Sequence, residues 1–173
     1  MVTGSAHASL AHATLGLKDS NMVANDTVKV LHVLSACLFL GNVIVSGTWA
    51  ALAERTRNYE VIRFSNRLVL ITDMLFTFTG ALLLVYTGLQ MADRYGGTAS
   101  QAWISWSYAL FGISGLIWLL VLVPIQLRQR FLLIRDKAVT AEYLRLSRIW
   151  QVSGAIATVF PLPIIYLMIT KGS

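Results

Sequence analysis

Four residues in the first half of the chain have side chains and spacing that could do chemistry in an apolar setting: His32, Asn42, Trp49 and Asp73. On a helical wheel Asn42 and Trp49 fall within about 20° of one another and His32 about 80° to one side, so the three can look toward one broad interface. Imidazole suits a haem iron or a copper ion, and the amide and indole add hydrogen bonds beside it. His32, Asn42 and Trp49 therefore form the candidate cofactor-binding set, with His32 as the metal ligand and haem b or copper as the groups it would suit. Further imidazole and thioether ligands for copper stand at His7, His12, Met22, Met91 and Met168. No second histidine lies in any apolar segment, so a haem would take one protein ligand, a methionine, or a histidine of another chain. Asp73 has two readings: a carboxylate tied to neighbouring helices, or a group that carries a proton or cation. Arg55 can reach inward from the end of the segment that carries His32.

These residues sit in segments built to cross a bilayer. The run LHVLSACLFLGNVIVSGTWAALAERT, residues 31–56, holds more than twenty residues without a charge. At about 1.5 Å rise per residue, roughly twenty residues span the 30 Å hydrocarbon core. The whole chain is 56% hydrophobic and 13% charged, with a mean hydropathy of +0.66. A soluble domain carries about 25% charged residues. Such a composition predicts an all-α integral membrane four-helix bundle with spans at about 27–54, 64–91, 102–126 and 148–170, after a flexible tail over 1–26 that lacks the basic start and apolar centre of a secretory leader.

Local signals refine the spans. Asn25 or Asp26 can cap the first helix, Asn58 opens the second, Thr98 with Gln101 fits a capping box before the third, and Thr140 caps the fourth. Pro124 should kink the third span, and Pro161 with Pro163 the fourth. Cys37 with Gly41, and Gly47 with Ala51, stand four apart, the spacing that lets helices approach closely in lipid. Asp73, Thr77, Gly80 and Leu84 follow helical spacing, so Asp73 shares an inward face with small and polar residues. It lies about 9 Å inside the boundary set by Arg67, at a depth Ser46 should share, with Arg55 and Arg128 able to stretch toward it.

Charge fixes the expected orientation. A net charge of +6 would point to nucleic acid in a soluble protein. Here ten of the fourteen Lys and Arg residues fall in the connections after the first and third spans, a membrane pattern. No nucleic-acid partner is expected. Basic residues stay cytoplasmic, so both termini should lie outside: a multi-pass protein of a bacterial inner membrane, N-out and C-out, with its tail in the periplasm. Its partners are the lipid bilayer and further membrane subunits or copies of itself. The single Cys37 excludes an intramolecular disulfide. The chain has no Gly-x-Ser-x-Gly, phosphate loop, His-Glu-x-x-His or paired-cysteine motif, so a non-hydrolytic role is expected, and an enzyme is less expected than a binding protein.

The runs HVLSACLFLGNVIVSGTWAALAERT and RFSNRLVLITDMLFTFTGALLLVYTG resemble an uncharacterised bacterial family of predicted four-helix integral membrane proteins, a domain-of-unknown-function family. The resemblance covers most of residues 27–170 and is strongest in the first two spans. Its pattern falls on His32, Gly41, Asn42, Trp49, Arg55, Asp73, Phe76 and Gly80. In layout the family is similar to the membrane domain of the copper-resistance protein CopD and, more distantly, to HemJ-type protoporphyrinogen oxidase. From the HemJ pattern this chain departs by having no ionisable residue within its third span. Three functions follow as expectations: a membrane component holding haem or copper at the first-helix cluster, an accessory or structural subunit of a larger membrane complex, and a small proton-coupled transporter using Asp73.

Overall fold

Long charge-free runs separated by short polar connections leave the chain few alternatives in lipid, where each backbone group must bond within its own helix. A computed structural model describes residues 3–171, with side chains from residue 22 onward, so the side chains of His7 and His12 lie outside the described residues. Four helical stretches are long and apolar enough to cross a membrane: Met22–Arg55, Tyr59–Tyr95, Ala102–Asp136 and Ala141–Thr170, the first to fourth spans. No strand occurs among the described residues. The turns between spans are short, so successive spans run antiparallel. Two of those turns gather the arginines at one end, hereafter the basic end.

The helix ends show which local signals operate. Asn58 Oδ1 accepts from the backbone N–H groups of Glu60 (2.9 Å) and Val61 (3.3 Å). Thr140 Oγ1 accepts from Tyr143 N–H at 3.2 Å. Both satisfy amides that a helix start leaves bare. Asn25 and Asp26 do not cap the first helix, because that helix runs on from Thr3 to Arg55; instead Asn25 Oδ1 accepts from Arg94 at 2.5 Å and Asp26 pairs with Lys29 at 3.1 Å. The expected Thr98 box does not form either. The third span starts at Ala102 behind Gln101, whose side chain makes no capping bond, while Thr98 offers its backbone carbonyl to Ser105 Oγ at 3.0 Å. Gly96 and Gly97 turn the chain just before, with φ of 87° and 100°, a region where a side chain is strained.

Two spans contain a π-helical turn: Asp73–Phe78 in the second and Trp118–Leu122 in the third. The latter ends two residues before Pro124, whose missing N–H removes a helical hydrogen bond there. In the fourth span the α-helix stops at Val159 and resumes at Pro161.

The first span packs along the second, and the third along the fourth. At the basic end all four meet. Ala53, Ile62, Leu132, Leu133 and Tyr143 form a buried cluster there, and Val69, Leu122, Trp150 and Ala157 a second one further in. Close approach of the first two spans happens at Gly80, opposite Ser35 and Phe39. It does not use the Cys37–Gly41 or Gly47–Ala51 pairs: Cys37 is exposed, and neither Gly41 nor Gly47 has a neighbour within 4 Å of a Cβ position. Spacing identified small residues, but only the partner helix decides which of them it meets.

Candidate functional site

The opening residue of the π-helical turn in the second span is Asp73, buried with 4% of its surface exposed. Asn42 from the first span donates its amide Nδ2 to Asp73 Oδ1 at 3.0 Å and to Thr77 Oγ1 at 2.8 Å. Thr77, one turn along, donates its hydroxyl to Oδ1 at 3.2 Å. From the third span, Gln126 Nε2 donates to Oδ2 at 2.7 Å. Three helices thus converge on one carboxylate. Every donor is neutral, and among the described residues no Lys, Arg or His pairs with it. Of the two arginines the sequence offered as partners, Arg55 is exposed and Arg128 pairs with Glu142 at 3.0 Å.

Asp73 lies on the wall of a cavity of about 570 Å³ to which all four spans contribute. Its lining is mainly apolar and aromatic, including Phe39, Phe78, Phe111, Trp118 and Trp150, with Phe78 stacked on Trp118 at 6.3 Å between centroids. Among its polar lining residues, Asp73, Thr77 and Gln126 are bonded into one group, while Gln151 and Ser46 bond elsewhere. Ser46 lines the same cavity as Asp73 and bonds within its own helix, to Val43 O. Ile44, Thr48, Ala155 and Val159 line the cavity yet are exposed on the outer surface, so it opens sideways between the first and fourth spans.

A second carboxylate lies toward the basic end. Ser147 and Gln151 of the fourth span donate to Glu54 Oε1 and Oε2, the latter at 2.9 Å. These bonds bring the first and fourth spans together where the cavity ends.

His32 stands ten residues before Asn42, hence about 15 Å away along the helix axis. Its Nδ1 lies 2.8 Å from Thr87 Oγ1. That hydroxyl also donates to Leu83 O at 2.6 Å, so the imidazole is tied to the second span through Thr87. A Cβ on Gly88 would come within 3.0 Å of Tyr108 Oη and 3.5 Å of His32 Cε1, so these three residues are in close contact. Trp49 is 41% exposed on the outer surface, away from both groups. The structure therefore brings Asn42 to Asp73, and leaves His32, Trp49 and Arg55 outside that cluster. Among the described residues no group of three or more His, Cys, Asp or Glu side chains could hold a metal ion.

The sequence reading missed Gln126, Ser147 and Thr87, and gave Glu54 and Gln151 no partner. Gln126 and Gln129 sit next to Arg128 and Arg130, and the charges marked that stretch as the exit of a helix; a buried face of glutamines among arginines was the available signal. Their partners lie on other spans, beyond the reach of spacing.

No curated protein and no solved structure matches the chain. Residues 26–172 match the model of the family described as predicted integral membrane protein (DUF2269), and with that match covering nearly all of the four spans, the chain belongs to this family.

Proposed function

We propose that this membrane protein binds a lipophilic cation from the bilayer, in exchange for a proton, at Asp73. The observation that carries the reading is a buried carboxylate on an apolar, aromatic cavity wall, held by neutral donors alone. A carboxylate in such a place is stable when a proton or a cation neutralises it. The sideways opening gives an apolar ligand a route that never leaves lipid. The aromatic walls suit a cation through the faces of their rings. The volume lies within the range of small-molecule sites, about 300–1,000 Å³. On this reading the Arg-rich end faces the cytoplasm of a bacterial inner membrane, and Asn42, Thr77 and Gln126 hold Asp73 in place.

Tetraphenylphosphonium is the probe. Titrated calorimetrically into detergent-purified protein, it should bind with release of protons, and more weakly as the solution is acidified, because proton and cation compete for one carboxylate. Asp73→Asn should weaken binding by roughly a hundredfold, given the few kcal/mol a partly buried charge pair supplies. Equal binding by wild type and Asp73→Asn, or binding indifferent to pH, removes the reading.

A second reading, haem or copper at His32, is favoured by one observation, the 2.8 Å contact that holds Nδ1 on Thr87 and leaves Nε2 as the ring nitrogen a metal would take. Protein purified with haem and copper supplied should then show a Soret band or bound copper in stoichiometric amount, lost in His32→Ala. A colourless, metal-free wild type discards it.

A further inference from the structure

Between the Asp73 cluster and Glu54 lies a small void of about 20 Å³, lined by Ser65, Asn66, Gln126, Gln129, Ser147 and Trp150 among others. Two polar atoms of residues that line it, Ser65 Oγ and Trp150 Nε1, are buried without a hydrogen-bond partner, and their residues are 8% and 7% exposed. Leaving such groups bare costs about 1–3 kcal/mol each. A water needs roughly 10–15 Å³ and two to four polar partners, and the void supplies both. The indole N–H selects the occupant: it needs an acceptor, which a water oxygen provides and a bare alkali cation does not.

The void has a carboxylate system on each side. Ser147, on its wall, donates to Glu54. Gln126, also on its wall, donates to Asp73 and lines the large cavity as well. We infer that an internal water here links the two carboxylates and that Glu54, half-buried at the basic end, supplies Asp73 with protons from that side, with Gln126 as the gate.

With the Gln126 amide turned off Oδ2, the water reaches Asp73. The proton on Glu54 passes to Ser147 Oγ, the hydroxyl proton of Ser147 to the water, and a water proton to Asp73 Oδ2. Three O–H bonds break and three form, and one proton has moved. Arg148 and Tyr143 are the other titratable groups close to Glu54, and no charged group faces Asp73 among the described residues. The inference deepens the proton exchange proposed above and rests on it for its purpose, but its test does not use the ligand.

The test is an acid jump on the full-length protein, following by infrared the carboxyl band that Asp73→Asn lacks. Glu54→Gln, and independently Gln129→Met to dry the void, should each slow the appearance of that band by roughly a hundredfold, the low end of what a positioned proton donor contributes. Tetraphenylphosphonium affinity should stay within a factor of about two, since neither residue lines the large cavity. Ultraviolet Raman of the indole ring should report a hydrogen-bonded Trp150 N–H in wild type. Unchanged rates in both variants overturn the route, as does a free Trp150 N–H, an indole signal that depends on sodium, or an Asp73 band that never appears. If wild type fails to bind the phosphonium while the variants still slow protonation, the ligand reading falls and the route stands.

Discussion

Asp73→Ala should lower the thermal midpoint of the detergent-purified protein by about 10 °C, and Asp73→Asn by only a few degrees. The alanine leaves Thr77, Gln126 and one of the two amide hydrogens of Asn42 without an acceptor in a buried place, the other Asn42 hydrogen keeping Thr77. Hydrogen bonds between membrane helices are worth only about 0.6 kcal/mol each on average, so the bonds themselves would not explain a large loss. Orphaned buried donors weigh more, about 1–3 kcal/mol apiece, and three of them give roughly 3–5 kcal/mol once neighbouring groups partly re-pair. For a chain of this size each kcal/mol moves the midpoint by about 2–4 °C. Asparagine keeps one acceptor oxygen for Asn42 and Thr77, and Gln126 can turn its amide to present oxygen to the new NH₂. The loss then shrinks to about 1 kcal/mol, the value of an ordinary hydrogen bond. The pair separates the two roles of the carboxylate, since Asp73→Asn should stay folded yet bind the phosphonium roughly a hundredfold more weakly. Equal midpoints for wild type and Asp73→Ala would mean that the three donors have other partners and that the cluster does not hold the spans together.

How much of this was legible beforehand depended on whether the signal was local. The four spans were, because a charge-free run of twenty residues has one low-energy fate in lipid. So were the helix start at Asn58 and the cap at Thr140, where the side chain bonds its own next turn. The inward face of Asp73 and Thr77 followed from period alone, since the costliest residues of a span turn away from the acyl chains. What periodicity could not supply was the register of one span against another. Asn42 and His32 lie on the same helix and a broad common face, yet they meet different depths of the second span, Asp73 with Thr77 in one case and Thr87 in the other. The π-helical turn at Asp73 also escaped the sequence reading, because such a turn is set by how the spans pack and has no composition of its own. Glu54 illustrates the same limit. Beside Arg55 it read as one of the charges closing a span, and only the fourth span's Ser147 and Gln151 make it part of the interior.

The largest loss from a single added side chain should come at Gly80. A Cβ there would sit 3.2 Å from the backbone nitrogen of Phe39 and 3.3 Å from both Phe39 Cβ and Ser35 O. Two of those three atoms are main chain, which cannot rotate aside, so the first and second spans must separate to admit anything larger than hydrogen. Alanine needs a shift of a few tenths of an ångström and should lose about 1–2 kcal/mol. Leucine also forces its branched end into a helix contact with no space, and a loss above about 3 kcal/mol is expected, the upper end of overpacking. Asn42 lies one turn beyond Phe39 on the same helix, so moving the spans apart there also lengthens its bonds to Asp73 and Thr77. Gly80→Leu should therefore lose phosphonium binding together with stability, although it lies outside the cavity. Gly41→Leu is the control: the exposed Gly41 has nothing within 4 Å of its Cβ position, and the new side chain would point into lipid. Its midpoint should stay within about 2 °C of wild type, the shift that roughly half a kcal/mol produces. Comparable midpoints for the Gly80 and Gly41 leucine variants would show that the spans do not approach at Gly80, and the bonds from Asn42 to Asp73 would lose the close contact that positions them.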